Sequence, residues 1–232
     1  MKSAKKLNFW RLVWTLFVTW YFINFSRNFF NSLTSDKAQI PVVFFIILVL
    51  WMTLEYYFAS PFFQSGIVVM HGWLKLFFSL FFYVMAIYSI TDYVSLNWTQ
   101  VSFAYPYLNI AGLIVFALGV LIRLATLFHL LNQPQNKLVR SGLFNVCRHP
   151  RYLGTLLQII AIPLIFSSYL GLIASLIFGL LLIYLEMQAE EQVLSKQYKD
   201  EYIEYQKHVP FLFPNLERLS RPKAKTSSGK RK

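Results

Sequence analysis

The sequence predicts an all-α fold, a polytopic membrane bundle of about six transmembrane helices followed by a cytosolic C-terminal helix. Three observations predict it. The 232 residues are 56% hydrophobic and 19% aromatic, too apolar for an ordinary soluble domain. The apolar residues gather in runs of roughly 20, the length that crosses a bilayer. The net charge of +12 is not spread along the chain but sits at the N-terminus, around residues 137 to 151, and after residue 195. That is the pattern of a membrane protein with one basic face, not of a nucleic-acid binder. A single cysteine, Cys147, excludes an intramolecular disulfide framework.

In order, the spans are expected near 8–25, 40–60, 73–91, 107–131, 152–167 and 169–188. The first is short, with Trp10, Trp14, Trp20 and Tyr21 placed as interfacial anchors. No small-residue cleavage site follows it, so it reads as a signal-anchor helix. Glu55 and Arg123 lie inside the second and fourth runs, towards their cytoplasmic ends. They are expected to pair with each other or to snorkel. The last two spans form one unbroken apolar stretch. A single helix of that size would measure over ~50 Å against a hydrocarbon core of about 30 Å, so the chain must fold back. Pro163, Ser167, Ser168 and Gly171 supply the turn, and Gly171, Ser175 and Gly179 have the spacing that lets helices approach closely.

Beyond the spans, "EMQAEEQVLSKQYKDEYIEYQKHV" favours helix, with Tyr198, Tyr202 and Tyr205 at i, i+4, i+7. This predicts an amphipathic helix on the interface or folded over the cytoplasmic mouth, ended by Pro210 and Pro214. Residues 1–214 then form the membrane domain. Residues 215–232 form a basic tail, expected to be disordered and attracted to anionic headgroups. With six spans, both termini and the loops at 61–72 and 132–151 share one side. All of the 22 Lys and Arg residues except Arg27 and Lys37 fall there or in the nearby helix ends. The positive-inside rule makes that side cytoplasmic, in a bacterial inner membrane or the endoplasmic reticulum of a eukaryote.

The fold-back has a chemical consequence. Arg148, His149 and Tyr152 precede or open the fifth span, and Glu186, Glu190 and Glu191 close the sixth. A hairpin therefore brings these groups to one level. Pro150 suits the first turn of a helix, whose free N–H groups and partial positive charge fit a carboxylate. Arg148 could hold an anion too, or lock Glu190 or Glu191 through a forked pair. A carboxylate at the end of the sixth span could receive an ammonium group. A cofactor with an amino acid moiety carries both charges, as S-adenosyl-L-methionine does. Taken one at a time, Arg148 and Arg151 also fit as plain positive-inside anchors, and His149 as a structural hydrogen-bonder. The four histidines lack ligand spacing, so no metal is expected.

"LVRSGLFNVCRHPRYLG" at 138–154 and "EEQVLSKQYKDEYIEYQKHVPFLFP" at 190–214 resemble the isoprenylcysteine carboxyl methyltransferase family and its prokaryotic relatives. The shared motifs are LVxSG, RHPxYxG, a Glu pair and YxxYxxxVPxxxP, in order. The resemblance implies an S-adenosyl-L-methionine site at the cytosolic mouth, with lipidic substrates arriving from the membrane. By motif position it assigns cofactor contacts to Leu138, Val139, His149, Pro150, Arg151, Tyr152 and Glu190. Phe144 stands where the family has a cofactor-contacting Tyr, and Lys137 opens the same loop. Glu186 stands where the carboxyl methyltransferases carry an Arg that handles the substrate carboxylate. A Glu would repel that group, so the acceptor is expected to be another hydrophobic or membrane-permeant molecule. Arg148, Glu186 and Glu191 are the candidates for catalysis, with Glu186, Glu191 or His149 as base for an amine nucleophile. Membrane sterol reductases end in a similar block and use NADPH, but follow its glycine with an Asp where this chain has Thr155. A non-catalytic membrane scaffold that kept the pocket is the third alternative.

Overall fold

A computed structural model of the chain describes Trp20 and residues 35–63, 72–134 and 137–214. The expected first span, apart from Trp20, and the basic tail lie outside the described residues. The rest is helical. α1 spans Ser35–Phe63 and α2 Gly72–Thr91, the latter prolonged by a π turn at Asp92–Leu96. α3 spans Tyr107–Leu131 and α4 Pro150–Ile165. The rod α5, Tyr169–His208, contains a π turn at Ser175–Gly179. Leu76–Leu96, Tyr107–Leu131 and Tyr169–His208 are long and apolar enough to cross a membrane, and Gln39–Glu55 and Pro150–Ile165 are shorter apolar helices.

α4 is the hub. Its 16 residues would reach only about 24 Å, less than a hydrocarbon core. It can be short because other helices surround it: Ile159, Ala161, Ile162 and Ile165 are wholly buried. Phe44 of α1, Phe116 of α3 and Phe166 pack edge to face around it at 5.0–5.3 Å. α3 lies closest. A Cβ on Gly119 would stand 2.7 Å from the Gly154 carbonyl oxygen, and one on Gly154 2.8 Å from that of Gly119. Only bare backbones fit there, which explains the last glycine of RHPxYxG by packing.

The hairpin turn lies at Phe166–Ser168, where Ser167 takes a left-handed φ of 51°. Pro163 does not form the turn as expected; it stays inside α4. Lacking an N–H, it leaves the Ile159 carbonyl without its helical donor. The Ser175 hydroxyl of α5, shared with Gly171 O at 2.8 Å, lies within hydrogen-bond reach of that carbonyl at 3.1 Å. Gly171 and Gly179 make the close approaches that their spacing predicts, to Ser89 and Ile159.

A turn at membrane depth needs partners for its backbone groups. Val101 N donates to Ser167 O and Tyr169 N to Thr99 O, both at 2.9 Å. The Asn109 amide donates to Ile165 O at 2.7 Å. Asp92, fully buried, accepts from Trp98 N and from the hydroxyl of Thr99 at 2.8 and 2.7 Å. These contacts fix where α4 ends and α5 begins, and hence which residues meet at the other end.

Past Glu191 the path departs from a simple rod. Lys199 has φ 45° and ψ −123°, and α5 breaks there. The segment after the break turns back, so that Tyr202, Tyr205 and Val209 form a second buried cluster with Leu138, Leu194 and Tyr198. Of the two placements the sequence allowed, the chain takes the fold over the mouth.

Candidate active site

Arg148 and His149, at the start of α4, meet Glu190 and Glu191 of α5. His149 stands just before α4 with φ −121°, and Pro150 takes the first helical position. Both follow from the steric demands of proline. Arg148 Nη1 lies 2.5 Å from Glu191 Oε1. His149 Nε2 lies 3.1 Å from the same oxygen, and its Nδ1 3.6 Å from Glu190 Oε2. Gln206, beyond the break, donates to Glu191 Oε2 at 3.0 Å. Burial acts to lower the pKa of His149, but the hydrogen bonds it donates to Glu190 and Glu191 and their charges outweigh it, and the imidazole is held above its ordinary value. Cys147, next in the chain, is buried and its thiol pushed up to about 11 by desolvation, which makes it a poor nucleophile.

One cavity joins these parts. It encloses about 930 Å³ of atom-free space, counting solvent at its mouth. Lys137, Leu138, Val139, Phe144, Arg148, His149, Pro150, Arg151, Tyr152 and Glu190 all line it. Of the twelve residues the sequence singled out, only Glu186 and Glu191 are off its wall. Glu191 is behind it, engaged by Arg148, His149 and Gln206. Glu186 is one helical turn before Glu190 and 4% exposed, in the protein interior.

The loop leading to α4 is shaped by Gly142, whose φ of 63° suits glycine and whose missing side chain admits the His129 ring at 2.9 Å. This accounts for the glycine of LVxSG. Below the cavity, Glu55 and Arg123 do pair, and the pair is larger than expected. Arg123 donates to Glu55 through Nη2, and through Nε at 3.0 Å; Arg151 adds Nη2 at 3.2 Å and Trp51 its indole N–H at 2.6 Å. Arg123 also reaches the Thr155 hydroxyl. Arg151 is therefore both a cavity wall and a tie to α1.

Sequence reasoning missed several participants. Tyr198, Tyr202 and Tyr205, in the sequence only the stripe of an amphipathic helix, pack together and also line the cavity. Phe211 was not singled out, although it lies in the VPxxxP motif. Its ring stands 5.1 Å from His149, and the Arg148 guanidinium lies 5.1 Å over it. Gln206 carried no signal, because its spacing to Glu191 means nothing until the helix breaks.

Do these residues fit an amino acid cofactor? Among the described residues no side chain caps α4, and the amides of Arg151 and Tyr152 belong to a first turn without intrahelical acceptors. That turn faces the cavity and suits a carboxylate. Glu190, across from it, suits an ammonium. Leu130, Leu138, Val139, Leu194 and the tyrosines give an apolar surface for a flat ring system. Arg148 Nε, on a lining residue, is buried without a hydrogen-bond partner among the described residues. The donor set fits.

Helices around an apolar core, with a cavity lined by charged residues at one end, define the class: a polytopic integral membrane protein. Comparison with known proteins makes it more particular. Residues 107–201, which carry α3, α4 and most of α5, match the family model described as phospholipid methyltransferase. The fold is that of the eukaryotic intramembrane Ras methyltransferase ICMT, an isoprenylcysteine carboxyl methyltransferase. The TM-score is 0.58 at 20% identity, covering 80% of this chain and 70% of that one. The chain is also 30% identical over 112 residues to the cobalt-zinc-cadmium resistance protein CzcN of Cupriavidus metallidurans, covering 48% of this chain. It spans about half the length, 51%, of that curated relative. The family match falls on the helices that carry the cavity, and the solved structure shares their fold.

Proposed function

We propose that the chain is an S-adenosyl-L-methionine-dependent methyltransferase that acts on a hydrophobic or membrane-permeant acceptor. The observation that carries this reading is the single cavity on which the uncapped start of α4 faces Glu190. It is supported by the family match and the shared fold. Methyltransferase families of this kind use that cofactor, which when bound supplies an electrophilic methyl group.

In this reading His149, Pro150, Arg151 and Tyr152 present the first turn of α4 to the cofactor carboxylate, and Glu190 takes its ammonium. Lys137, Leu138, Val139 and Phe144 form the facing wall. Arg148 and Glu191 act on position: locked together and to His149, they hold the start of α4 against α5. Glu191 is then a weaker candidate for base than Glu186, which is buried one helical turn earlier on α5. A carboxylate at 186 disfavours an anionic nucleophile and favours a hydroxyl, thiol or amine. The chain's main contribution is to hold acceptor and methyl in line, which can lower a barrier by several kcal/mol, roughly 7 or more in the best cases. The cavity is assigned to the cytoplasmic face by the placement of the basic residues, with membrane lipids as surroundings and source of acceptor.

The test is incubation of the full chain in lipid nanodiscs with methyl-labelled cofactor and a total lipid extract. Label in a discrete lipid-soluble product is the expected result. Label nowhere, combined with thermal stabilisation by NADPH and none by S-adenosylhomocysteine, would replace methyl transfer by reduction.

A further inference from the structure

We propose that residues 200–208 form a flap over the cavity, pivoting at Lys199 and Val209, whose opening controls ligand exchange. Only the identity of the ligand rests on the function proposed above. Lys199 holds a φ of 45° with ψ −123°, a region that a residue with a side chain occupies only when surrounding contacts impose it. Val209 is extended, at φ −113° and ψ 127°. Beyond it the chain is anchored: Arg148 N donates to Pro210 O at 2.9 Å, and Leu212 is buried in the main core.

Between the pivots the segment has two faces. Tyr202 and Tyr205 point inwards and wall the cavity, while Glu201, Ile203, Glu204, Lys207 and His208 are exposed. The closed position is held by separable polar contacts. Arg140 donates to the Glu201 carbonyl at 2.6 Å and lies 3.1 Å from its carboxylate. The Tyr205 hydroxyl donates to Phe144 O at 2.6 Å, and Gln206 to Glu191 at 3.0 Å. The opposite wall, the start of α4, is fixed in the helical core. If either wall yields, it is the flap. Backbone strain at the pivot favours release, and the latches oppose it, so the segment is set to open as a unit.

Hydrogen exchange of the full chain in nanodiscs tests this. Amides of 200–208 are expected to exchange together and at least about ten-fold faster than those of 180–195. Equal protection on both sides of Lys199 overturns the flap. A second measurement uses Leu194→Cys, placed on the cavity wall, and its reaction rate with a small methanethiosulfonate. Adding Arg140→Ala and Gln206→Ala should raise that rate at least about five-fold with α5 exchange unchanged at 180–195. An unchanged rate overturns the proposal. S-adenosylhomocysteine should slow exchange of 200–208; if it has no effect while the flap still opens separately, the cofactor reading fails and the flap stands.

Discussion

Two adjacent carboxylates sit in different surroundings, because among the described residues an ion pair with an arginine forms at Glu191. Glu191 is spent on Arg148, His149 and Gln206, and Glu190 faces the cavity. Glu191→Ala would leave a largely buried guanidinium without its partner, and should cost about 3 kcal/mol in reversible unfolding. The double change Arg148→Met with Glu191→Leu should recover most of that loss, as an apolar pair replaces a charged one. His149 gives a pH test with a definite sign. Its folded pKa is raised, so its stabilising contribution is complete below the ordinary 6.5 and fades as pH rises through the folded value. Wild-type protein should therefore lose stability relative to His149→Gln as pH rises above the ordinary 6.5. A difference that stays flat or grows with pH contradicts the contacts to Glu190 and Glu191. The sequence offered Arg148 either glutamate and left the choice between them open.

At the scale of elements, periodicity and length gave the five described helices and the need for a hairpin, because a lipid core limits how far one helix can run. The turn was legible to within a few residues. Pro163 misled, since a neighbouring serine can satisfy the carbonyl that a proline orphans, and that compensation comes from another helix. The break at Lys199 was not legible, as "SKQYKD" holds neither Gly nor Pro; tertiary contacts of Tyr202, Tyr205 and Gln206 override local propensity there. The α3–α4 seam was overlooked as well, although Gly112, Gly119 and Gly154 are the residues that allow it. Gly154→Ala is expected to cost about 1–3 kcal/mol in unfolding, because its Cβ would meet the Gly119 carbonyl at 2.8 Å and Arg123 Cγ at 2.6 Å. Since α4 starts the cavity, ligand affinity should fall with it. Unchanged stability would show that the seam is looser than drawn.

For the whole molecule, charge distribution and topology make one claim about sidedness. The loop with Trp98 and Phe103, both strongly exposed, lies at the opposite end of the bundle from the cavity. In intact cells an impermeant thiol reagent should label Phe103→Cys and spare Lys207→Cys, with the buried Cys147 unreactive in both. The reverse labelling would turn the protein over and put the site outside. Composition made the membrane setting plain, and family motifs pointed to the chemistry proposed. What they could not supply was the joint placement of groups forty residues apart, which depends on the turn at Ser167.

That placement is tested most directly by calorimetric titration of the full chain with S-adenosylhomocysteine, beside Glu190→Gln. The account predicts one molecule bound per chain by the wild type. The variant should keep the wild-type fold and lose on the order of a hundred-fold in affinity, as expected when a charged hydrogen-bond partner is removed. Equal affinity in the two proteins, or no binding to either, would contradict it.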